Sequence, residues 1–303
     1  IFQMSAPSPA HEWIRQGRGL GPSIKWSHQT DGPLTSLSLA RESGDVIVAD
    51  ASGSICRMDR GGQIAALNRF REPVHQLCWS DDGSAGAALV GDDTLYCLDR
   101  TFQSVWTVNL PDVCMAVSIT PYGRHVAASL ADGTTLIYDA NRRRVATIET
   151  IRPLAFLSFC TTKPVLIGAA EHALVTAYSI SGAEVWQEKM WSNVGDIAVT
   201  GDGSSIHLAS FAHGIQTLDS HGESVGSYVL EGTVNHVAVS FEPQRLIAAS
   251  FERSLYWLDP DGAMLWTAAA PDDVVALECD PLGEWAVCGL AGGTVMRLDW
   301  GGV

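Results

Sequence analysis

A step of forty residues organises this sequence. Beginning at Leu34 it lands on Val74, Cys114, Leu154, Val194, Val234 and Val274, each opening an apolar run such as VHQLCWS, CMAVSIT, VGDIAVT or VVALECD. Seven units follow one another without insertion, which restricts the chain to a stacked or ring-shaped array of like parts. One position per unit carries Asp59, Asp99, Asp139, Asp219, Asp259 and Asp299, with Ser179 as the departure. Three residues later stand Gly62, Gly182, Gly222, Gly262 and Gly302.

Each unit reads as four short strands, a to d. In the second, VHQLCWS, AGAALVG, TLYCLDR and SVWTVNL are separated by SDDG, DD and TFQ. Short runs rich in Val, Ile, Leu, Thr and aromatics, broken by Gly, Asp and Pro, favour strands, and no stretch has a convincing helical period. One small sheet cannot bury both faces alone, so the units must pack on one another. The rival arrangements are an open solenoid and a closed ring. The ends of the chain favour the ring: the seventh unit stops after strand c, GTVMRLD, while Ile24 to Pro33 reads as an isolated strand d, with IKWS at the repeat position of MLWT. The expected fold is all-β, a seven-bladed β-propeller of four-stranded antiparallel blades closed by an N-terminal strand, with no free edge. Residues 1–23 are expected to form an arm, and residues 24–303 the propeller.

The turns TPYG at 120–123, DPLG at 280–283, SDDG at 80–83 and ADGT at 131–134 resemble those of WD-repeat propellers, as does the strand GGTVMRLD at 292–299. The family's Trp before the Asp is replaced by Met58, Leu98, Tyr138, Tyr178, Leu218, Leu258 and Leu298, and its Gly-His is missing. The segment LDPDGAMLW at 258–266 also resembles the repeat of pyrroloquinoline quinone-type propellers, with an Asp-to-Trp interval one residue shorter. Both likenesses imply a propeller, and neither brings a cofactor site with it.

With 34 acidic against 19 basic residues, the net charge of −15 repels a nucleic-acid backbone or an anionic membrane. Seven cysteines without close pairing read as buried free thiols and point to a cytoplasmic location. No charged-then-apolar leader and no membrane-spanning run is present. The triplet IFQ ahead of Met4 reads as the remnant of a cleavable tag, with MSAPSP as the native start.

Residues 5–23 are rich in Pro, Gly and Ser and show no strand period; Trp13 and Ile14 are expected to pin this arm to the ring or to a partner, and Gly17, Gly19 and Gly21 to supply flexibility. In strand d, Trp26, Trp106, Trp186 and Trp266 recur at alternate units and read as structural anchors, each able to remove about 150 to 250 Å² from water.

Strand a should line the central channel, where one shared position holds Ser36, Gln76, Ala116, Phe156, Asp196, His236 and Ala276. Asp196 and His236, from neighbouring units, read as an interblade hydrogen bond; an acid–base pair or the start of a metal site is the alternative. No P-loop, dinucleotide fingerprint, GxSxG or HExxH occurs, and the other histidines lack metal-ligand spacing. No catalytic, cofactor or metal residue is therefore assigned.

What remains is surface. The d-to-a and b-to-c turns share one rim, which carries Arg71, Ile151, Arg152, Trp191, Phe211 and Phe251 where repeat mates include Asp31, Pro111, Glu231, Ala131 and Ala291. Aromatics and Arg anchor protein interfaces, so these six are the candidate partner-binding residues; Phe211 and Phe251 could instead fold under their own turns. On the opposite rim Arg142, Arg143 and Arg144 read as a solvated basic run. The expected function is a non-catalytic scaffold that binds protein partners through a rim. The alternative is a small-molecule-binding or enzymatic propeller with its site near Asp196 and His236.

Overall fold

The computed structural model describes residues 11–242 and 244–301. The suggested tag, the native start and Gly302 lie outside them. Seven antiparallel sheets form, and in blades one to six the four strands pair in sequence order. Blade one runs Leu34–Ala40, Asp45–Asp50, Ser54–Met58 and Ile64–Arg69, and the later blades repeat this plan. Each strand a contacts strand a of the next blade, and the last contacts the first, so the array is a ring.

Closure follows the expected route. Ser23–Gln29 pairs antiparallel with Thr294–Asp299 as the outer strand of blade seven, in a register that sets Ser23 opposite Asp299 and Gln29 opposite Thr294. Two backbone segments from opposite chain ends thus satisfy each other's edge.

The core lies between blades. Ile47, Ala49 and Ile55 of blade one pack with Val74, Leu77 and Ala88 of blade two in one apolar cluster, and equivalent clusters recur around the ring. The repeated Asp is explained by its turn. Asp59 Oδ1 accepts from the N–H groups of Gly61 and Gln63, both at 2.9 Å, and Asp99, Asp139, Asp219 and Asp259 make the same pair of bonds two and four residues on. Ser179 Oγ keeps one of them, from Ala183 N–H at 3.1 Å. Asp is favoured because its short carboxylate closes such a turn on its own backbone. At Asp299 the residue two on, Gly301, donates to Glu284 O instead, and the carboxylate pairs with Arg297 at 2.9 Å.

The strand-d tryptophans are anchors. Trp106 and Trp266 are buried, while Trp26 and Trp186 are half-buried and donate across the blade boundary to Arg60 O (3.2 Å) and Ser220 O (2.9 Å). Gly62 stands in the left-handed region at φ 80°, and a Cβ there would lie 2.5 Å from the Trp26 ring, so the turn glycine also makes room for the neighbouring blade's anchor.

Two expectations for the arm need correction. It contains a four-residue helix, Glu12–Arg15, and a two-residue strand, Arg18–Gly19, that adds a fifth strand to blade six beside Met264–Ala269. Its glycines serve close approach rather than flexibility: a Cβ on Gly17 would meet Trp266 Nε1 at 2.5 Å, and one on Gly19, at φ 93°, would overlap Leu265 O. Trp13 and Ile14 are buried and pin the arm to the ring, one of the two readings considered above.

All seven cysteines are free, and burial pushes their thiols up, Cys56 and Cys97 to about 11. Such thiols are poor nucleophiles. No helix among the described residues is long and apolar enough to cross a membrane.

Candidate functional site

The channel is lined by the strand-a positions read from the repeat, Ser36 through Ala276, around a space of about 370 Å³. Its polar side chains tie blade to blade. Ser36 Oγ accepts from Leu77 N–H at 3.0 Å, Gln76 Oε1 from Val117 N–H at 3.1 Å, and Asp196 Oδ2 from Val237 N–H at 3.1 Å. The Asp196 carboxylate is therefore occupied in the same way as its repeat mates, with His236 Nδ1 3.5 Å away, at the long limit for a hydrogen bond. Among the described residues, no group of three or more His, Cys, Asp or Glu side chains is placed to hold a metal.

A second inward ring lies two residues further along strand a: Ser38, Cys78, Ser118, Ser158, Ala198, Ala238 and Glu278. Glu278 is its one carboxylate. Desolvation raises its pKa to about 7, against the pull of Arg41 and with a push from Asp196. Arg41 is itself shared with Asp81, at 3.3 Å. The sequence reading missed Glu278 because it compared only the first inward position; the same comparison two residues on would have found it.

On the rim of the d-to-a and b-to-c turns, the structure brings Phe211 and Phe251 together, with ring centroids 5.4 Å apart and planes at 76°. With Phe156, Glu171, Asn235 and His236 they line a cleft of about 380 Å³ beside the channel mouth. Gly195 makes this possible, since a Cβ there would stand 2.7 Å from the Phe211 ring. Phe211 folds partly over strand a, at 36% exposure, while Phe251 stays 59% exposed.

Trp191 lies in the loop that enters blade five and is 96% exposed, although its neighbours Met190 and Ser192 are buried. Ser192 Oγ accepts from Ser210 Oγ at 2.9 Å and from Ala212 N–H at 3.2 Å, and Asn193 Oδ1 sits 2.6 Å from His172 Nδ1. The loop is fixed on both sides of the indole, which itself does not line the cleft. Ile151 (83% exposed) and Arg152 occupy the preceding d-to-a loop. Arg71 is exposed in the loop between blades one and two, outside the cleft. Phe156, Glu171 and Asn235 were not among the sequence candidates. Glu171 stands at the repeat position of Phe211 and Phe251, one unit earlier, Phe156 shares the strand-a position of His236, and Asn235 shares that of Gly195, so the forty-residue step could have brought them in.

The molecule is thus defined as a seven-bladed β-propeller with an aromatic cleft at one channel mouth. No family model matches the sequence, and no curated protein matches it either, so the likeness to WD-repeat and pyrroloquinoline quinone-type propellers rests on the turns and strands quoted above.

Proposed function

We propose that this chain is a non-catalytic interaction module that docks a protein partner on the rim bearing Trp191, Phe211 and Phe251. One observation carries the reading: a fully exposed indole at Trp191 on a loop whose flanking residues are buried and hydrogen-bonded. The fold does not require it, because the repeat mates of Trp191 are Asp31, Arg71, Pro111, Ile151, Glu231 and Pro271. Exposed aromatic anchors beside an apolar cleft suit a protein interface. Ile151 and Arg152 extend the patch on the preceding loop, and Arg71 stands on the same rim two such loops further round the ring. The net charge of −15 favours a protein partner over nucleic acid or an anionic membrane, and the free thiols fit a reducing, cytoplasmic setting. The channel reading has less support, since the Asp196 carboxylate is already committed to Val237 N–H.

The test is affinity purification from the source organism with wild type and the Trp191→Ala, Phe211→Ala double variant. A partner captured by wild type and lost from a folded double variant is the expected result. Capture by both at equal yield overturns the rim reading.

A further inference from the structure

We propose that the cleft between Phe211 and Phe251 seats the side chain of a lysine from the docked protein partner. The inference rests on the rim-docking reading and adds the chemistry of the partner's central contact.

Three features of the cleft favour a cation that donates hydrogen bonds. Its walls are aromatic: Phe211 and Phe251 meet at nearly a right angle, 76°, and Phe156 stands on the channel side. The face of such a ring is electron-rich and attracts an ammonium. Its polar lining offers acceptors: Glu171 contributes a carboxylate, and Asn235 has an Oδ1 that is buried without a hydrogen-bond donor; His172, Asn193 and His236 complete the lining, with Asn193 Oδ1 2.6 Å from His172 Nδ1. A lysine ammonium offers three donors and no acceptor. Neither lysine nor arginine lines the cleft.

The surroundings point the same way. Glu252, next to Phe251, is held by Thr233 N–H at 2.8 Å, a bond that keeps its carboxyl below the usual range. Arg253 is engaged by Asp273 at 2.6 Å and Asp272 at 4.0 Å, which offsets its charge. The whole chain carries −15, so a basic segment is drawn toward it before contact. An apolar side chain could fill the cleft but would leave Asn235 Oδ1 without a donor and bring no charge to the exposed Glu171 carboxylate. A lysine satisfies them while its methylene stem lies along the rings.

The experiment titrates the full chain with acetyl-glycyl-lysyl-glycinamide and with the same peptide carrying norleucine, which keeps the stem and lacks the ammonium. Binding is read by ligand-observed NMR. The lysine peptide is expected to bind at least about fivefold tighter, and the preference is expected to fall to about twofold or less in Phe251→Leu and in Glu171→Gln. Trp191→Ala, outside the cleft, should leave it unchanged. Equal or tighter binding of the norleucine peptide overturns the inference, as does a preference that survives both cleft variants, or no binding of either peptide up to about 10 mM. Failure of the two readings is distinguishable. Loss of the partner from the Trp191 variant without a lysine preference leaves rim docking standing alone; a lysine preference with every partner retained by the rim variants removes rim docking instead.

Discussion

Trp13 lies against Trp266 with ring centroids 6.1 Å apart, joining the N-terminal arm to the outer strand of blade six. Trp300 closes the cluster from the other end of the chain: its ring is 5.7 Å from Trp266 and stacks on Trp257 at 4.0 Å, and its Nε1 donates to Leu20 O at 3.0 Å. Four indoles from the two chain ends and blade six thus clamp the arm where the ring is sewn shut. Trp13→Ala should cost about 3 to 5 kcal/mol, the usual range for truncating a buried aromatic. Urea unfolding measures it, and an unchanged midpoint would show that the clamp adds nothing to stability.

Ring closure makes a separate prediction. Deleting residues 1–20 removes Trp13, Ile14 and the fifth strand of blade six, so it should lower the melting temperature clearly. Deleting residues 1–33 also strips Ser23–Gln29 from Thr294–Asp299 and leaves a bare edge. Oligomers on size exclusion should appear with the longer deletion and not with the shorter. Two monomeric truncations of equal stability would contradict closure by this strand.

The propeller was legible because it is written seven times. Errors in one unit are corrected by the others, and the missing strand d of unit seven found its mate in IKWS by repeat position alone. The arm was misread because its structure is imposed from outside: a two-residue strand and one helical turn have no period of their own, and they form because Trp266 and Leu265 offer a surface and an edge. The cleft was half legible. Phe211 and Phe251 stood out against Ala131 and Ala291, and Glu171 holds the same repeat position one unit earlier, whereas Asn235, on strand a, joins them through ring geometry that no single unit encodes.

Glu278 and His207 should give opposite pH dependences. Burial raises the Glu278 carboxyl from 4.5 to about 7, so the fold favours its protonated form; the stability it contributes is complete below pH 4.5 and is lost as pH rises through about 7. Burial lowers His207 from 6.5 to about 4, so its neutral form is favoured, and its contribution is complete above pH 6.5 and lost as pH falls toward about 4. Against wild type, Glu278→Gln should therefore gain melting temperature as pH rises across this window, and His207→Gln as pH falls. Parallel melting curves for the three proteins at all pH values would refute both assignments.

Trp191→Ala should leave stability within about 0.5 kcal/mol of wild type, because the loop is held by Ser192 and Asn193 rather than by the indole. Gly195→Ala should behave differently. Its new Cβ would displace the Phe211 ring, so it should disturb the cleft and weaken the lysine peptide even if the fold survives. A Trp191 variant that unfolds would place the indole in the core, and a Gly195 variant that binds normally would show that the Phe211 position does not matter.

The channel pair gives the last prediction, through three substitutions. If Asp196 acts as an acceptor for Val237 N–H, Asp196→Ala strips a donor on the buried Val237 of its partner and should cost about 1 to 3 kcal/mol. Asp196→Asn keeps a carbonyl oxygen at the same reach, so it should recover most of that loss. His236→Gln removes the imidazole 3.5 Å from the carboxylate without touching the Val237 bond, and should cost no more than about 1 to 2 kcal/mol. Denaturant midpoints for the three variants decide between hydrogen bond and charge pair. An ion pair needs the negative charge and its histidine, so Asn would then be as damaging as Ala, and His236→Gln as damaging as either; a hydrogen bond to the backbone needs an acceptor alone, and ranks Ala well below the other two.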